Sequence, residues 1–410
     1  MRWPRAGWKR SICRSRPCGS GPGCKRRRVR LPDRLRRWLH PGRAEGHSPE
    51  PVRSRPGPTS HVVILDGTLS SLTPGEETNA GRTYRLLAEM LPRADLSLYY
   101  EAGVQWQSWR QSNDVITGRG INRQIRRAYG FLASRYRPGD RIFLLGYSRG
   151  AYAVRSLAGV IDRIGLLRPD EANVRNIRAV YRFYEGTPED GPTRKTIRIF
   201  ARAHCHETAP IEMVGVWDTV KALGLRLPVL WRITEPSHAF HNHHLGPSIK
   251  HGYHALALHE KRVAFTPVMW DCPPGWEGDV EQMWFRGTHG DIGGQLMGFD
   301  AARPLSNIPL IWMLEKLDHC GLPLPDGWRD RYICDVTAPM VGSVRGWAKY
   351  FVLRRRRRVG YDISEQVHPS ALPYLHPVHR AVFEARDKAL AIRAATPGHP
   401  SDQVSPATSP

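Results

Sequence analysis

Short apolar runs separated by amphipathic stretches recur along the chain from residue 59 onward. Thr59–Leu65 is the first run and closes on Asp66-Gly67-Thr68. Leu96–Tyr100, Arg141–Leu145, Ile211–Trp217 and Val280–Phe285 follow, and each reads as a strand. Between them the spacing changes. Ile121, Ile125, Ala128, Leu132 and Tyr136 recur near helical spacing. Helices are also predicted at about Thr83–Leu91, Ala151–Val160, Val174–Tyr184 and Leu305–Cys320. Strands alternating with helices predict an α/β domain with a mostly parallel central sheet flanked by helices. No internal repeat is evident.

The third of these strands runs directly into Gly146-Tyr147-Ser148-Arg149-Gly150, and a helix follows at once. Strand, G-x-S-x-G turn and helix together form the context of a nucleophile elbow. The turn forces the serine into a strained backbone and lifts its hydroxyl above the sheet. Small residues are required two positions either side, because strand and helix nearly touch there. The next backbone N–H, that of Arg149, is left to bind an oxyanion. The bland alternative is a glycine-rich turn whose serine only caps the helix.

A serine nucleophile needs a base, and the base needs an orienting acid. In the α/β-hydrolase chain order the acid and then the histidine follow the serine. Asp218 fits the acid slot, since it comes immediately after the apolar strand ending at Trp217. There it would face the crevice at the strands' carboxyl ends. Its alternative role is to cap a helix starting near Thr219. His289 fits the base slot, between Gly287 and Gly290 in a loop that could carry the ring over Ser148. Asp291 is the rival acid, though two residues from His289 it suits a loop-structuring role better.

Four ordered signatures carry a family resemblance: Asp66-Gly-Thr68, Gly146-Tyr-Ser-Arg-Gly-Ala151, Gly215-Val-Trp-Asp-Thr-Val220 and His289-Gly-Asp-Ile-Gly-Gly294. The chain resembles an uncharacterised α/β-hydrolase domain family that includes type VI secretion phospholipase effectors. The resemblance spans roughly residues 60–375. Tyr253–Leu258, with Glu260, Arg262, Phe265, Pro267 and Trp270, resembles that family's middle helix, and Pro309–Met313 and Val367–Ser370 resemble later landmarks. The resemblance implies a serine hydrolase of ester bonds, with Ser148, Asp218 and His289 at the matching triad positions.

Charge changes the picture only at one end. The net charge is +23, but residues 1–58 hold 17 Lys/Arg against 3 Asp/Glu in an Arg/Pro/Gly-rich setting. Such composition cannot repay its ordering entropy, so residues 1–58 are expected to be disordered, as is the Pro/Ser/Thr-rich segment 395–410. A basic arm suits peripheral contact with an anionic membrane. The bland reading, an over-long N-terminus, is preferred to any such contact, because 52 Arg against 9 Lys is what a G+C-rich gene would produce without selection for binding, and nucleic-acid binding is not expected. The run Arg354–Arg358 reads as a solvated helix end or loop. His238, His241, His243, His244, His251, His254 and His259 crowd one segment, which the resemblance places on a helix and its preceding loop. Adventitious metal affinity is expected there, and a catalytic metal is not.

The seven cysteines are scattered, no apolar segment follows the basic start, and no run approaches the ~20 apolar residues of a membrane span. These features lead to an expected cytoplasmic location, with signal-independent export as the alternative. The reading that results is one α/β-hydrolase-like domain, residues 59–394, cleaving carboxylic esters or phospholipids without a cofactor. Arg149 and the Gly67–Thr68 loop would supply its oxyanion donors. The alternative from another class is a non-catalytic module of the same fold that binds a partner or membrane.

Overall fold

In the computed structural model of the chain, residues 57–103, 119–186, 192–220, 245–272, 279–343 and 353–395 are described. Residues 1–56 and 396–410, the bulk of the two segments expected to be disordered, lie outside them, as do His238, His241, His243 and His244.

Seven parallel strands form one sheet. They are β1 (Ser60–Leu65), β2 (Leu96–Glu101), β3 (Arg141–Tyr147), β4 (Ile211–Trp217), β5 (Ile249–Ala257), β6 (Asp279–Phe285) and β7 (Glu365–Val367). The spatial order is β2-β1-β3-β4-β5-β6-β7. The helices among the described residues are α1 (Asn79–Ala88), α2 (Arg119–Ala133), α3 (Arg149–Ile164), α4 (Val174–Glu185), α5 (Pro192–His204), α6 (His289–Gly293), α7 (Arg303–His319) and α8 (Pro377–Ala395).

The central strands are apolar at successive positions because both sheet faces are covered. Val63 and Leu65 of β1 and Leu144 of β3 pack into a cluster with Ile125, Leu132, Val154 and Leu157 of α2 and α3. Val62 and Ile64, one residue out of phase, pack on the other face with Leu86 and Leu87 of α1 and Leu310, Met313 and Leu314 of α7. A third cluster joins Leu256 and Trp284 to Val359, Leu375 and Phe383 at the β7 edge.

This topology opens a crevice where the candidate site sits. β2 and β3 flank β1 on opposite sides, so the chain reverses direction across the sheet between them. α1, which follows β1, and α3, which follows β3, cover opposite faces of the sheet. Ligands bind at such switch points in open α/β sheets.

Two expectations are corrected here. Tyr253–Leu258 is not a helix: residues through Ala257 form β5, paired on both sides with β4 and β6. Strand geometry also separates the histidines, because side chains alternate across a sheet. His251 stacks on Tyr253, whereas His254 turns to the other face against Trp270. Among the described residues no group of three or more His, Cys, Asp or Glu side chains could hold a metal ion. No helix starts at Thr219 among the described residues; Val220 instead forms an antiparallel bridge with Pro267. No helix among the described residues is long and apolar enough to cross a membrane.

Candidate active site

The elbow is built as the sequence demands. Ser148 has φ 56° and ψ −118°, a left-handed conformation that costs about 1–3 kcal/mol and persists only where its surroundings impose it. Its N–H bonds to Trp217 O at 3.0 Å. A Cβ on Gly146 would lie 2.7 Å from both Ala151 N and Gly150 O. One on Gly150 would sit inside the Leu65 carbonyl. Both glycines are therefore steric necessities of a helix pressed onto β1 and β3. Arg149 begins α3, so its N–H precedes the intrahelical hydrogen-bond ladder and has no backbone acceptor within the helix.

The carboxyl ends of three strands converge on this serine. His289, the first residue of α6 just beyond β6, places Nε2 2.9 Å from Ser148 Oγ. Its Nδ1 lies 2.6 Å from Oδ2 of Asp218, the residue after β4. A carboxylate only accepts, so Nδ1 carries the proton and the Nε2 lone pair is free to accept from the serine hydroxyl. The imidazole backbone is pinned by Glu260, whose Oε2 accepts the His289 N–H at 3.2 Å. Tyr147 and Phe265 hold the ring between them, with centroids 4.9 and 4.8 Å away. Burial drives His289 below the ordinary histidine pKa, against the hydrogen bond and charge of Asp218, which act the other way. It is therefore neutral at pH 7.

Asp218 is wholly buried, with φ 43°. Its Oδ1 accepts from Ala257 N at 3.0 Å and from Arg357 Nη1. Its Oδ2 accepts from Arg357 Nη2 at 2.8 Å and from His289. The four acceptor positions of the carboxylate are thus filled. Burial opposes this charge, but the Arg357 guanidinium, aided by the His289 hydrogen bond, outweighs it and holds Asp218 far below the usual carboxylate range.

The catalytic-domain model of Tle1-like phospholipase effectors of the type VI secretion system (T6SS) matches residues 60–316. The chain belongs to this family. A Saccharomyces cerevisiae protein described as uncharacterised, YEL023C, is 27% identical over 246 residues, which are 52% of this chain and 34% of that protein. An uncharacterised Pseudomonas aeruginosa protein of known structure aligns with 68% of this chain and 49% of its own, at 17% identity and a TM-score of 0.37. A Tle1 effector solved bound to the VgrG spike of the type 6 secretion system aligns with 58% of this chain and 51% of its own, at 18% identity and a TM-score of 0.29. The chain thus spans about a third of the length of the curated relative and about half of each solved structure.

In this Tle1-like domain the structure brings Ser148, His289 and Asp218 together and sets Asp291 apart. Asp291 Oδ2 accepts from the Thr288 N–H and hydroxyl, both at 2.7 Å, and its Oδ1 accepts from Val341 N at 2.8 Å. It ties the histidine loop to a neighbouring segment. The two expected donors of the Gly67–Thr68 loop differ. Gly67 N–H is already spent on Asp66 Oδ1 at 2.6 Å, which leaves Thr68 as the candidate.

One sequence reading is overturned. Arg354–Arg358 is not a uniformly solvated run, because Arg357 is buried against Asp218. Glu260 and Arg262 also gain a structural account. They form a buried pair with bonds of 2.8 and 2.6 Å beside His289. Charge alone could not single out Arg357 among five consecutive arginines, but its burial does.

Asp66 holds the loop that carries Thr68. Besides Gly67 N, it accepts from the Thr78 hydroxyl at 2.6 Å and the Tyr100 hydroxyl at 2.8 Å. Burial pushes its pKa up to about 6, against those three hydrogen bonds. Asp66→Ala strands the buried Thr78 hydroxyl, at about 1–3 kcal/mol, and the half-buried Tyr100 hydroxyl, at less. It should lower the melting temperature by several degrees and reduce any Thr68-assisted activity. A raised folded pKa favours stability at low pH and loses it as pH rises through about 6. Thermal melts of Asp66→Asn from pH 4 to 7 should lack that part of the native pH dependence.

Proposed function

We propose that this domain is a serine ester hydrolase acting on phospholipids. The observation that carries the reading is the hydrogen-bonded line from Ser148 through His289 to Asp218, built on a strained serine at the switch point. In the first step Ser148 Oγ attacks the acyl carbonyl carbon and its proton passes to His289 Nε2. The carbonyl oxygen becomes an oxyanion, which the N–H groups of Arg149 and Thr68 stabilise. The tetrahedral species collapses, the ester C–O bond breaks, and His289 returns the proton to the departing alcohol. Water, deprotonated by the same nitrogen, then attacks the acyl-serine and releases the carboxylic acid and Ser148. Asp218 keeps the imidazole in the required tautomer and offsets its charge while it holds two protons.

The family described by its phospholipase effectors supports a lipid substrate. So does the Arg149 side chain. Burial lowers its pKa to about 10, and no carboxylate pairs with it among the described residues. A cation on the residue after the nucleophile suits a substrate that carries a phosphodiester.

The test is product analysis after incubation with phosphatidylglycerol vesicles and, separately, with p-nitrophenyl butyrate. The reading predicts free fatty acid and lysolipid from the vesicles, and loss of both activities in Ser148→Ala. Hydrolysis of the short ester alone would retain the esterase and remove the phospholipid assignment. Binding to vesicles with no hydrolysis of either substrate would favour the non-catalytic module.

A further inference from the structure

We propose that Arg357 is the positioning residue of this site, fixing Asp218 through both carboxylate oxygens and thereby setting how readily the Asp218–His289 pair takes up a proton. The inference rests on the hydrolase reading but concerns a group outside its three residues.

Arg357 does not reach Asp218 by chance. The segment before it pairs with the one after β5: Val263 N bonds to Leu353 O, and Arg355 N bonds to Lys261 O at 2.7 Å. Arg262 and Arg354 form an antiparallel bridge. This register sends neighbouring arginines outward. Arg354 bonds Ser343, and Arg356 bonds His376 at the surface. Arg357 turns inward instead. Beyond Asp218, its Nη1 bonds Ala257 O at 2.9 Å and its Nη2 bonds Phe265 O at 2.6 Å. These carbonyls hold the planar fork in line with the carboxylate. A lysine, with one point charge, could not reproduce two parallel bonds.

A buried cation at this position has a chemical consequence. With its acceptor sites filled, Asp218 stays ionised and accepts the Nδ1 hydrogen bond without taking the proton. Through Asp218 the positive charge also opposes a further proton on the pair, adding to the lowering of His289 by burial and by Arg262. The other groups facing the pair alter this little. Glu260 and Arg262, from the β5–β6 connection, are bonded to each other and largely cancel. His254, on β5, is neutral, its pKa lowered to about 3 chiefly by burial. Tyr147 and Ser148, from the end of β3, are uncharged at neutral pH. Asp291, on α6, is bonded to Thr288 and Val341, and Arg149, at the start of α3, bonds neither member of the pair among the described residues. Arg357 is thus the cation in direct contact with Asp218. Removing it should increase the proton affinity of the pair, whichever member holds the proton.

The experiment compares pH profiles of kcat/KM for p-nitrophenyl butyrate in native protein, Arg357→Gln and Arg357→Lys. In Arg357→Gln the acid limb should move up by about one pH unit, the scale of a neighbouring-charge effect. In Arg357→Lys the limb should stay near the native value while kcat falls about tenfold at unchanged KM, as lost alignment requires. A folded Arg357→Gln protein with the native acid limb would overturn the proposal. If Arg357→Gln does not fold, a lysine variant with native kcat would overturn it equally.

A second readout does not depend on catalysis. In 13C-histidine-labelled Ser148→Ala protein, the His289 resonance, identified by its loss in His289→Gln, should titrate about one unit higher when Arg357→Gln is added. An inactive native protein together with this NMR shift would refute the hydrolase reading and keep the role of Arg357. An active protein without the shift would do the reverse.

Discussion

Ser148→Ala should fold as the native protein does and lose ester hydrolysis by at least about a thousandfold, the scale on which removal of a triad nucleophile acts. His289→Ala should fall by a similar factor, because each residue is useless without the other. The double variant should therefore be little worse than either single one. Asp218→Asn should cost somewhat less through the imidazole, but it also leaves Arg357 buried without a carboxylate, which should destabilise the protein by about 3 kcal/mol or more. Asp291→Asn should mainly loosen the histidine loop, since Asp291 bonds Thr288 and Val341 rather than the ring. Initial rates and thermal melts measured on the same preparations separate these effects. Full activity in Ser148→Ala would remove the nucleophile. A silent Asp218→Asn with an inactive Asp291→Asn would move the acid.

The largest stability effect is expected at Gly150. A methyl group there would overlap the Leu65 carbonyl and crowd that of Asp66, so α3 and β1 must separate. Both are rigid backbone, and overpacking without relief costs about 3 kcal/mol or more. Gly150→Ala should melt about 5–10 °C below the native protein. It should also lose activity, because moving α3 displaces both Ser148 and the Arg149 N–H. Gly146→Ala meets Ala151 N and Gly150 O at 2.7 Å and should be nearly as damaging. A Gly150→Ala protein with native melting temperature and activity would show that the helix is not pressed onto the strand as described.

Much of this site is legible in the sequence because its parts are local. The elbow needs only a strand, two small residues and a helix, all within residues 141–164. Asp218 and His289 stand at strand ends that apolar runs announce. The missed elements lack such local marks. β5 carries His251, Gly252 and His254 among its apolar residues, so neither a continuous apolar run nor a strict alternation appears. Its strand state is imposed by β4 and β6 on either side. β7 has three residues, too few to show a period. α1 begins at Asn79, four residues before the predicted start, because Thr78 caps it and the Asn79 amide bonds Ile292 O and Ser306 O across the fold. Arg357 is the clearest case. Its neighbours share its chemistry, and only a register set by tertiary pairing turns this one arginine toward Asp218.

The most direct test of the central claim is covalent labelling by a fluorophosphonate probe, read by peptide mass. Only an activated serine displaces fluoride at neutral pH. The account predicts a single adduct on the tryptic peptide 142–149, located at Ser148, that is absent in His289→Ala and in heat-unfolded protein. A folded native protein that remains unlabelled, or that labels at another serine, would contradict it.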